Sequence, residues 1–411
     1  MYKKEFLLHQ HTPMIHFQAK TEGATLRGSD LKPRLDKFII RKLLEEDSKS
    51  ADDRLKKLKE SKWKDWLYQG DKAQHPSLDY TVKIVNINPD FQRPKPIERF
   101  GTFFGTHATL HKNEKVSLEI STTNEKILHR VIELLPEFLM WHNFGTRNTK
   151  GFGSFYLPEV PENFKEFRPR YYFDVLAHSD EDLSKQIGLF YSTLRSGINA
   201  SGFYFKSLLW KYLRDKNIQW DKKSIKQKYL GRKVKSQIDD HLLEETLTHR
   251  EYPLTFQSSS DNTHLWRDIF GLSTQQDWRD NKARRSPSLE KVHASKEIDR
   301  FPSPLFFKPL ATSKGNYTVF FDVPKHLRDA FKDPANASSA ETEILEEWFD
   351  ISFDNKTGLK LQYPASFDFD DFFNFAFNVE LDEHVAEENE GNGSDFRKLK
   401  KYYHTLKTQV Q

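Results

Sequence analysis

Arg147 and Lys150 stand among Gly145, Gly151 and Gly153, in a chain of 411 residues that holds only 17 glycines. Glycine opens backbone conformations closed to other residues and lets a second backbone approach closely. Cations presented between such glycines suit a polyanion. The stretch 144–155 reads Phe-Gly-Thr-Arg-Asn-Thr-Lys-Gly-Phe-Gly-Ser-Phe and follows an apolar run, Leu134–Trp141. A second cationic group, Arg27, Lys32 and Arg34 with Ser29, surrounds the expected start of a helix. There, backbone N–H groups and side-chain cations together favour phosphate. The plainer reading of both is a solvated turn and a solvated helix face.

Histidines and carboxylates offer less. His9, His11 and His16 lie in the first strand-like segment, where His9 and His11 share a face and His16 points to the other. His107 and His111 are four apart, but a metal site needs three or four converging ligands, so no metal and no cofactor are expected. Asp368, Asp370 and Asp371 alternate with Phe367, Phe369, Phe372 and Phe373, which suits solvated positions beside a buried aromatic face. No phosphate-binding P-loop, dinucleotide fingerprint or nucleophile elbow is present.

The elements that must position these residues follow from composition and pattern. A chain this long exceeds one typical core, so two domains are expected, divided into 1–168 and 169–411. The absence of cysteine removes disulfides and thiolate chemistry and fits a reducing, cytoplasmic setting. No apolar leader or membrane-length run is seen. Charge is uneven. Residues 301–411 carry 12 Lys+Arg against 19 Asp+Glu, whereas the blocks 1–168 and 193–300 are both net basic, which suits nucleic acid for the first three quarters. Most of the 34 Phe, 15 Tyr and 8 Trp belong to cores.

Segment 6–17 reads as a strand. A helix follows from about Leu31, with Ser29 or Asp30 as N-cap and Pro33 in its first turn. Residues 45–70, with Trp63 and Trp66, read as a helical insertion. Strands are expected over 80–87 and 116–121, with an edge segment over 100–104. A helix over 125–142 starts at Asn124 and is kinked by Pro136. A short strand follows over 153–157, and 158–169, with three prolines, reads as a linker. This order is that of a ferredoxin-like β-α-β-β-α-β unit. Beyond it come a strand at 171–176, helices over 182–196 and 203–216, a basic block 222–235, strands at 304–310 and 317–323, closing strands at 359–363 and 376–381, and an acidic, glycine-containing stretch 384–394. The fold class expected is α+β, with two ferredoxin-like (RRM-like) units carrying helical insertions.

The segment from His11 to Phe38 resembles the RAMP superfamily of CRISPR effector proteins. In that family a Thr-Pro-hydrophobic first strand leads to an R/P-x-S-S-L-K-G-x-L-R segment. Arg27, Ser29, Leu31, Lys32 and Arg34 occupy matching places, while Asp30 and Pro33 depart from it. The superfamily's G-x₅-G-aromatic-G loop is matched by Gly145, Gly151, Phe152 and Gly153, and Asn143 stands where many members have a further glycine. A weaker echo of type III subunits joins Arg267-Asp-Ile-Phe-Gly-Leu to Arg300-Phe-Pro-Ser-Pro-Leu-Phe-Phe. The nearest likeness within the superfamily is to the first RAMP subunit of type III-B (Cmr) effector complexes.

The resemblance implies a non-catalytic subunit of an antiviral ribonucleoprotein, with guide RNA, target RNA and sister subunits as partners. It implies RNA contact by Arg27, Ser29, Lys32, Arg34, Gly145, Arg147, Lys150, Gly151, Phe152 and Gly153. The alternative it leaves open is a metal-independent, guide-processing endoribonuclease using His9 or His11. A further alternative is a scaffold whose acidic C-terminal block docks a basic partner.

Overall fold

The computed structural model describes residues 1–15, 25–44, 51–87, 95–97, 108–112, 115–200, 203–218, 221, 264–273, 275–277, 288–293, 300–313, 315–336, 344–353, 356–379 and 395–410. The expected edge segment at 100–104, His16, His107, the basic block 222–235 and the stretch 384–394 lie outside these residues.

The first half is built on β1 (Tyr2–Gln10), β2 (Met14–Ile15), α1 (Gly28–Leu44), α2 (Ala51–Glu60), β3 (Thr81–Asn86), β4 (Lys95–Ile97), β5 (Ala108–His111), β6 (Lys115–Thr122), α3 (Glu125–Trp141) and β7 (Phe155–Tyr156). Four strands form an antiparallel sheet in the order β3-β6-β1-β7. Its register pairs Phe6 with Leu118 and Leu8 with Val116, and α1 and α3 pack against one face of it. α3 buries Ile127, Val131, Leu135 and Phe138 at helical spacing, and the Asn124 side chain accepts from the Lys126 and Ile127 N–H groups. The helix continues past Pro136 to Trp141. β2, β5 and β4 make a small separate sheet.

α1 begins earlier than its sequence suggests. The Arg27 carbonyl accepts from Asp30 and Leu31, so the helix starts at Gly28 and neither Ser29 nor Asp30 is its cap. The Asp30 carboxylate is taken up by the Arg27 guanidinium, at 3.0 and 3.1 Å.

The second half contains α4 (Phe164–Phe167), β8 (Tyr171–Leu176), α5 (Asp180–Arg195), β9 (Ile198–Ala200), β10 (Phe203–Phe205), α6 (Leu208–Asp215), β11 (Leu272–Ser273), β12 (Gln275–Asp277), β13 (Ser288–His293), β14 (Arg300–Phe301), β15 (Phe306–Ser313), β16 (Asn316–Asp322), α7 (Lys325–Lys332), β17 (Trp348–Phe353), β18 (Lys356–Gln362), α8 (Phe369–Asn378) and α9 (Asp395–Val410). Three strands pair antiparallel as β15-β16-β8, and four more as β12-β13-β17-β18. At the free edge of β8 the Gln409 side chain of α9 accepts from the Tyr172 N–H and donates to its carbonyl. One amide thus occupies backbone groups that a fourth strand would pair. The fold is mixed α+β.

Two expectations are corrected. Residues 203–216 are a strand followed by a helix, because Ser207 caps a new start by accepting from Trp210 N–H. Residues 376–378 end a helix rather than form a strand. Asp368 caps that helix, and Phe369, Phe373, Ala376 and Phe377 recur at helical spacing.

Hydrophobic side chains gather in two clusters. One draws on residues 8–156 with Leu310 and Phe320, the other on residues 171–406. The expected linker packs against the first of them, through Phe164 and Phe167. Phe164 lies 5.9 Å from Tyr156 and 5.6 Å from Phe320, ring to ring, and the Trp141 indole donates to the Phe167 carbonyl at 2.6 Å.

Candidate nucleic-acid interface

The loop 143–154 is shaped by its glycines. Gly145 (φ 82°) and Gly153 (φ 67°) are left-handed. A Cβ on Gly153 would fall 1.9 Å from the Phe144 carbonyl oxygen, and one on Gly145 2.6 Å from that of Ile15. Backbone bonds close the loop on itself and on the start of the chain: Phe144 N–H to Gly153, Gly153 N–H to Pro13, and Thr146 N–H to Ile15. Thr12 donates to the Gly151 carbonyl at 2.7 Å and accepts from Ser154 N–H at 2.9 Å.

The loop is also the seam between the halves. Phe307 N–H donates to Thr149, and Ser154 Oγ donates to the Pro309 carbonyl. Asn143 donates to the Asn148 and Phe307 carbonyls and accepts from Lys308. Lys308 is fully buried, its Nζ meeting the His142 carbonyl, Asn143 Oδ1 and the Phe155 carbonyl at 3.1, 3.1 and 2.9 Å. Burial pushes this amine well below the ordinary lysine range. Three acceptors nevertheless match the three N–H donors of an ammonium, so the charged form is the one this geometry serves.

Several expected contact residues turn inward. Lys32 Nζ bonds Asp36 (2.7 Å), Ser77 (2.9 Å) and the Leu78 carbonyl (3.0 Å) and lies over the Tyr80 ring. Arg34 donates to the Asn143 carbonyl at 3.0 Å and lies against Phe144, which ties the helix segment to the neck of the loop. Phe152 is buried. Lys150 Nζ sits 3.2 Å from the centroid of the Tyr191 ring and finds no acceptor at hydrogen-bonding geometry among the described residues. Burial brings it down to about 8. The Tyr191 phenol opposes that shift, and Arg195 and Arg147 add to it.

Ser29 and Thr146 remain exposed, with Arg27 and Arg147 half-buried beside them. Arg147 is itself left-handed (φ 56°), unusual for a branched-out cation and set by the turn it occupies. The loop's glycines and Lys150 set shape, while Arg27, Ser29 and Arg147 can still meet a ligand.

The other face of the first sheet is unlike a base-stacking platform. The register places Lys3, Glu5, Leu7 and His9 beside Lys115, Ser117, Glu119 and Ser121, with Thr81, Lys83 and Val85 on β3. Lys3 pairs with Glu119 and Ser117 donates to Glu5. RRM-type readers stack bases on aromatic side chains at such positions, and these three strands present none there. Tyr156, opposite His9, is buried.

His11 accepts the Ala311 N–H at Nδ1, 3.0 Å away, which puts the ring proton on Nε2. Burial, then Lys308, His9 and Lys112, lower it to about 3. A neutral ring with its lone pair already engaged is poorly placed to take a proton. Among the described residues no group of three or more His, Asp or Glu could hold a metal ion, and no helix is long and apolar enough to cross a membrane. Asp368 is a helix cap, Asp370 pairs with Arg328 and Arg170, and Asp371 pairs with Lys216. The last helix, α9, is basic: Arg397, Lys398, Lys400, Lys401 and Lys407 against Asp395.

The two segments of the weaker echo are brought together. Leu272 pairs with Phe301 and Ser273 with Arg300. Arg195 donates to the Arg267 and Gly271 carbonyls, and Tyr191, under Lys150, donates to that of Phe270. Sequence reasoning missed Asn143, Tyr191, Arg195 and Lys308. Their only advance signal was the asparagine replacing a glycine at 143.

Comparison with known proteins agrees in both halves. Residues 1–198 match the Cmr1 N-terminal domain and residues 204–401 the Cmr1 C-terminal domain. Among solved structures, the apo crystal structure of Cmr1 from Pyrococcus furiosus is 10% identical, covering 79% of this chain and 89% of that one. Its TM-score of 0.35 is too low to support any statement about fold. No curated protein matches.

Proposed function

Because the chain belongs to the Cmr1 family of type III-B CRISPR RAMP proteins, we propose that it is a non-catalytic, RNA-binding subunit of such an effector complex. In this role it holds guide RNA, target RNA or both beside its sister subunits in the cytoplasm, as part of antiviral defence. The contact surface is the start of α1 with the outer side of the glycine loop: Arg27, Ser29, Thr146 and Arg147. Arg34, Lys32, Lys150, Phe152 and the three glycines act through shape. Phosphate contacts of this kind fix RNA in place without reading its sequence.

The observation that carries the reading is the Arg34 bond to the Asn143 carbonyl, which locks the two motif segments into one neighbourhood. Both halves are read as one β-α-β-β-α-β plan, divided at 168/169. Among the described residues the second supplies three strands of that plan, β15-β16-β8, and Gln409 covers the β8 edge. The test is binding of single-stranded RNA by the full chain across a salt series. Wild type should show a steep slope, and Arg27→Ala/Arg147→Ala a shallower one. RNA incubated with the protein should stay intact, and cleavage abolished by His9→Ala or His11→Ala would replace this function with the endoribonuclease.

A further inference from the structure

The Trp210 side chain takes no part in the site described above. It is half-buried on α6, between two cations. Lys206 Nζ is 4.3 Å from the indole centroid and Arg214 Cζ is 5.2 Å from it. Trp210 and Arg214 stand four apart on one face of the helix, and Lys206 reaches the ring from just ahead of the Ser207 cap. The opposite face is fully used: Leu208, Leu209, Tyr212 and Leu213 are in the core, and Tyr212 and Lys216 bind Asp371 at 2.8 and 2.6 Å.

We propose that Trp210, with Lys206 and Arg214, is a stacking site for one base of single-stranded RNA on the second half of the chain. An indole offers a π-face to any base, Lys206 can take an adjoining phosphate, and Arg214, which holds Asp215 at 3.0 and 3.1 Å, can exchange that carboxylate for the phosphate on the other side. A base entering the site takes one cation's place on the ring, and that cation moves to the phosphate. A bilayer is a poor partner, because the apolar face of α6 is committed to the core and only one aromatic ring is left outside. A polyanion fits better. After α6 the chain carries Lys222, Lys223, Lys226, Lys228, Arg232, Lys233 and Lys235, with no Asp or Glu between 222 and 235.

The site is independent of the glycine loop, so either can fail alone. Binding of a fluorescent oligoadenylate and of an abasic ribose-phosphate chain of equal length is measured for the full-length wild type, Trp210→Leu and Trp210→Phe. Leucine keeps the apolar bulk and removes the π-face, so affinity for oligoadenylate should fall about tenfold, while phenylalanine should stay close to wild type. The abasic chain should bind wild type and Trp210→Leu alike. The same ratios should persist in the Arg27→Ala/Arg147→Ala background. Unchanged oligoadenylate affinity in Trp210→Leu, or an equal loss for the abasic chain, would overturn the proposal. An oligoglutamate peptide that binds wild type but not Trp210→Leu would overturn it in favour of a protein partner.

Discussion

The inner and outer sides of the glycine loop carry cations of opposite use. On the inner side Lys150 is pressed over the Tyr191 ring and Lys308 is held by three carbonyl-type acceptors. On the outer side Arg147 occupies a left-handed turn beside exposed Thr146. A basic residue in a signature motif is therefore not by itself a contact to ligand. The inner residues should answer in stability, and the outer ones in RNA binding.

The largest effect is expected on the inner side, from Gly153→Ala. The new Cβ would collide with the Phe144 carbonyl oxygen at a position that also demands a positive φ, so unfolding should cost at least about 3 kcal/mol less than in wild type. Denaturant titration checks this, and an unchanged midpoint would break the comparison. Lys308→Met should follow. It leaves three buried acceptors without donors, at about 1–3 kcal/mol each before the relief of an expensive buried amine. The net loss expected is about 2–4 kcal/mol by the same titration, and a stabilised variant would show that the buried ammonium contributes nothing.

Lys150 sharpens the contrast through pH. Its amine titrates near 8 in the fold and near 10.5 when unfolded. Between those values the unfolded chain holds the extra proton, so stability should rise with pH across that window. Lys150→Met should flatten the slope relative to wild type, as stability curves at pH 7.5, 9 and 10.5 would show. Matching slopes would mean that Lys150 is solvated rather than stored in the seam.

Much of the first half was legible locally. The strand–helix order to Tyr156 and the Asn124 cap follow from spacing and cap chemistry, and the two motifs fall where that order needs them. What escaped notice depends on contacts distant in sequence. Nothing near position 308 marks a lysine that will serve residues 142, 143 and 155, and nothing near Tyr191 announces Lys150. Lys32 looked like a helix-face cation because charge usually marks exposure, yet Asp36, Ser77 and Leu78 draw it inward. The phenylalanines of 367–377 disguised a helix, since a nearly all-apolar run hides its period until the Asp368 cap sets the frame.

The most direct measurement is the affinity of the full-length protein for single-stranded RNA between 50 and 300 mM salt, on the order of the range where phosphate contacts are decisive. It is made for wild type, Lys32→Ala, and Arg27→Ala/Arg147→Ala. The expected result is that the double variant binds about tenfold more weakly, with a log–log salt slope lower by about 2, while Lys32→Ala loses stability and keeps its slope. Equal affinity and equal slope for wild type and the double variant would contradict RNA contact at the outer side of the loop.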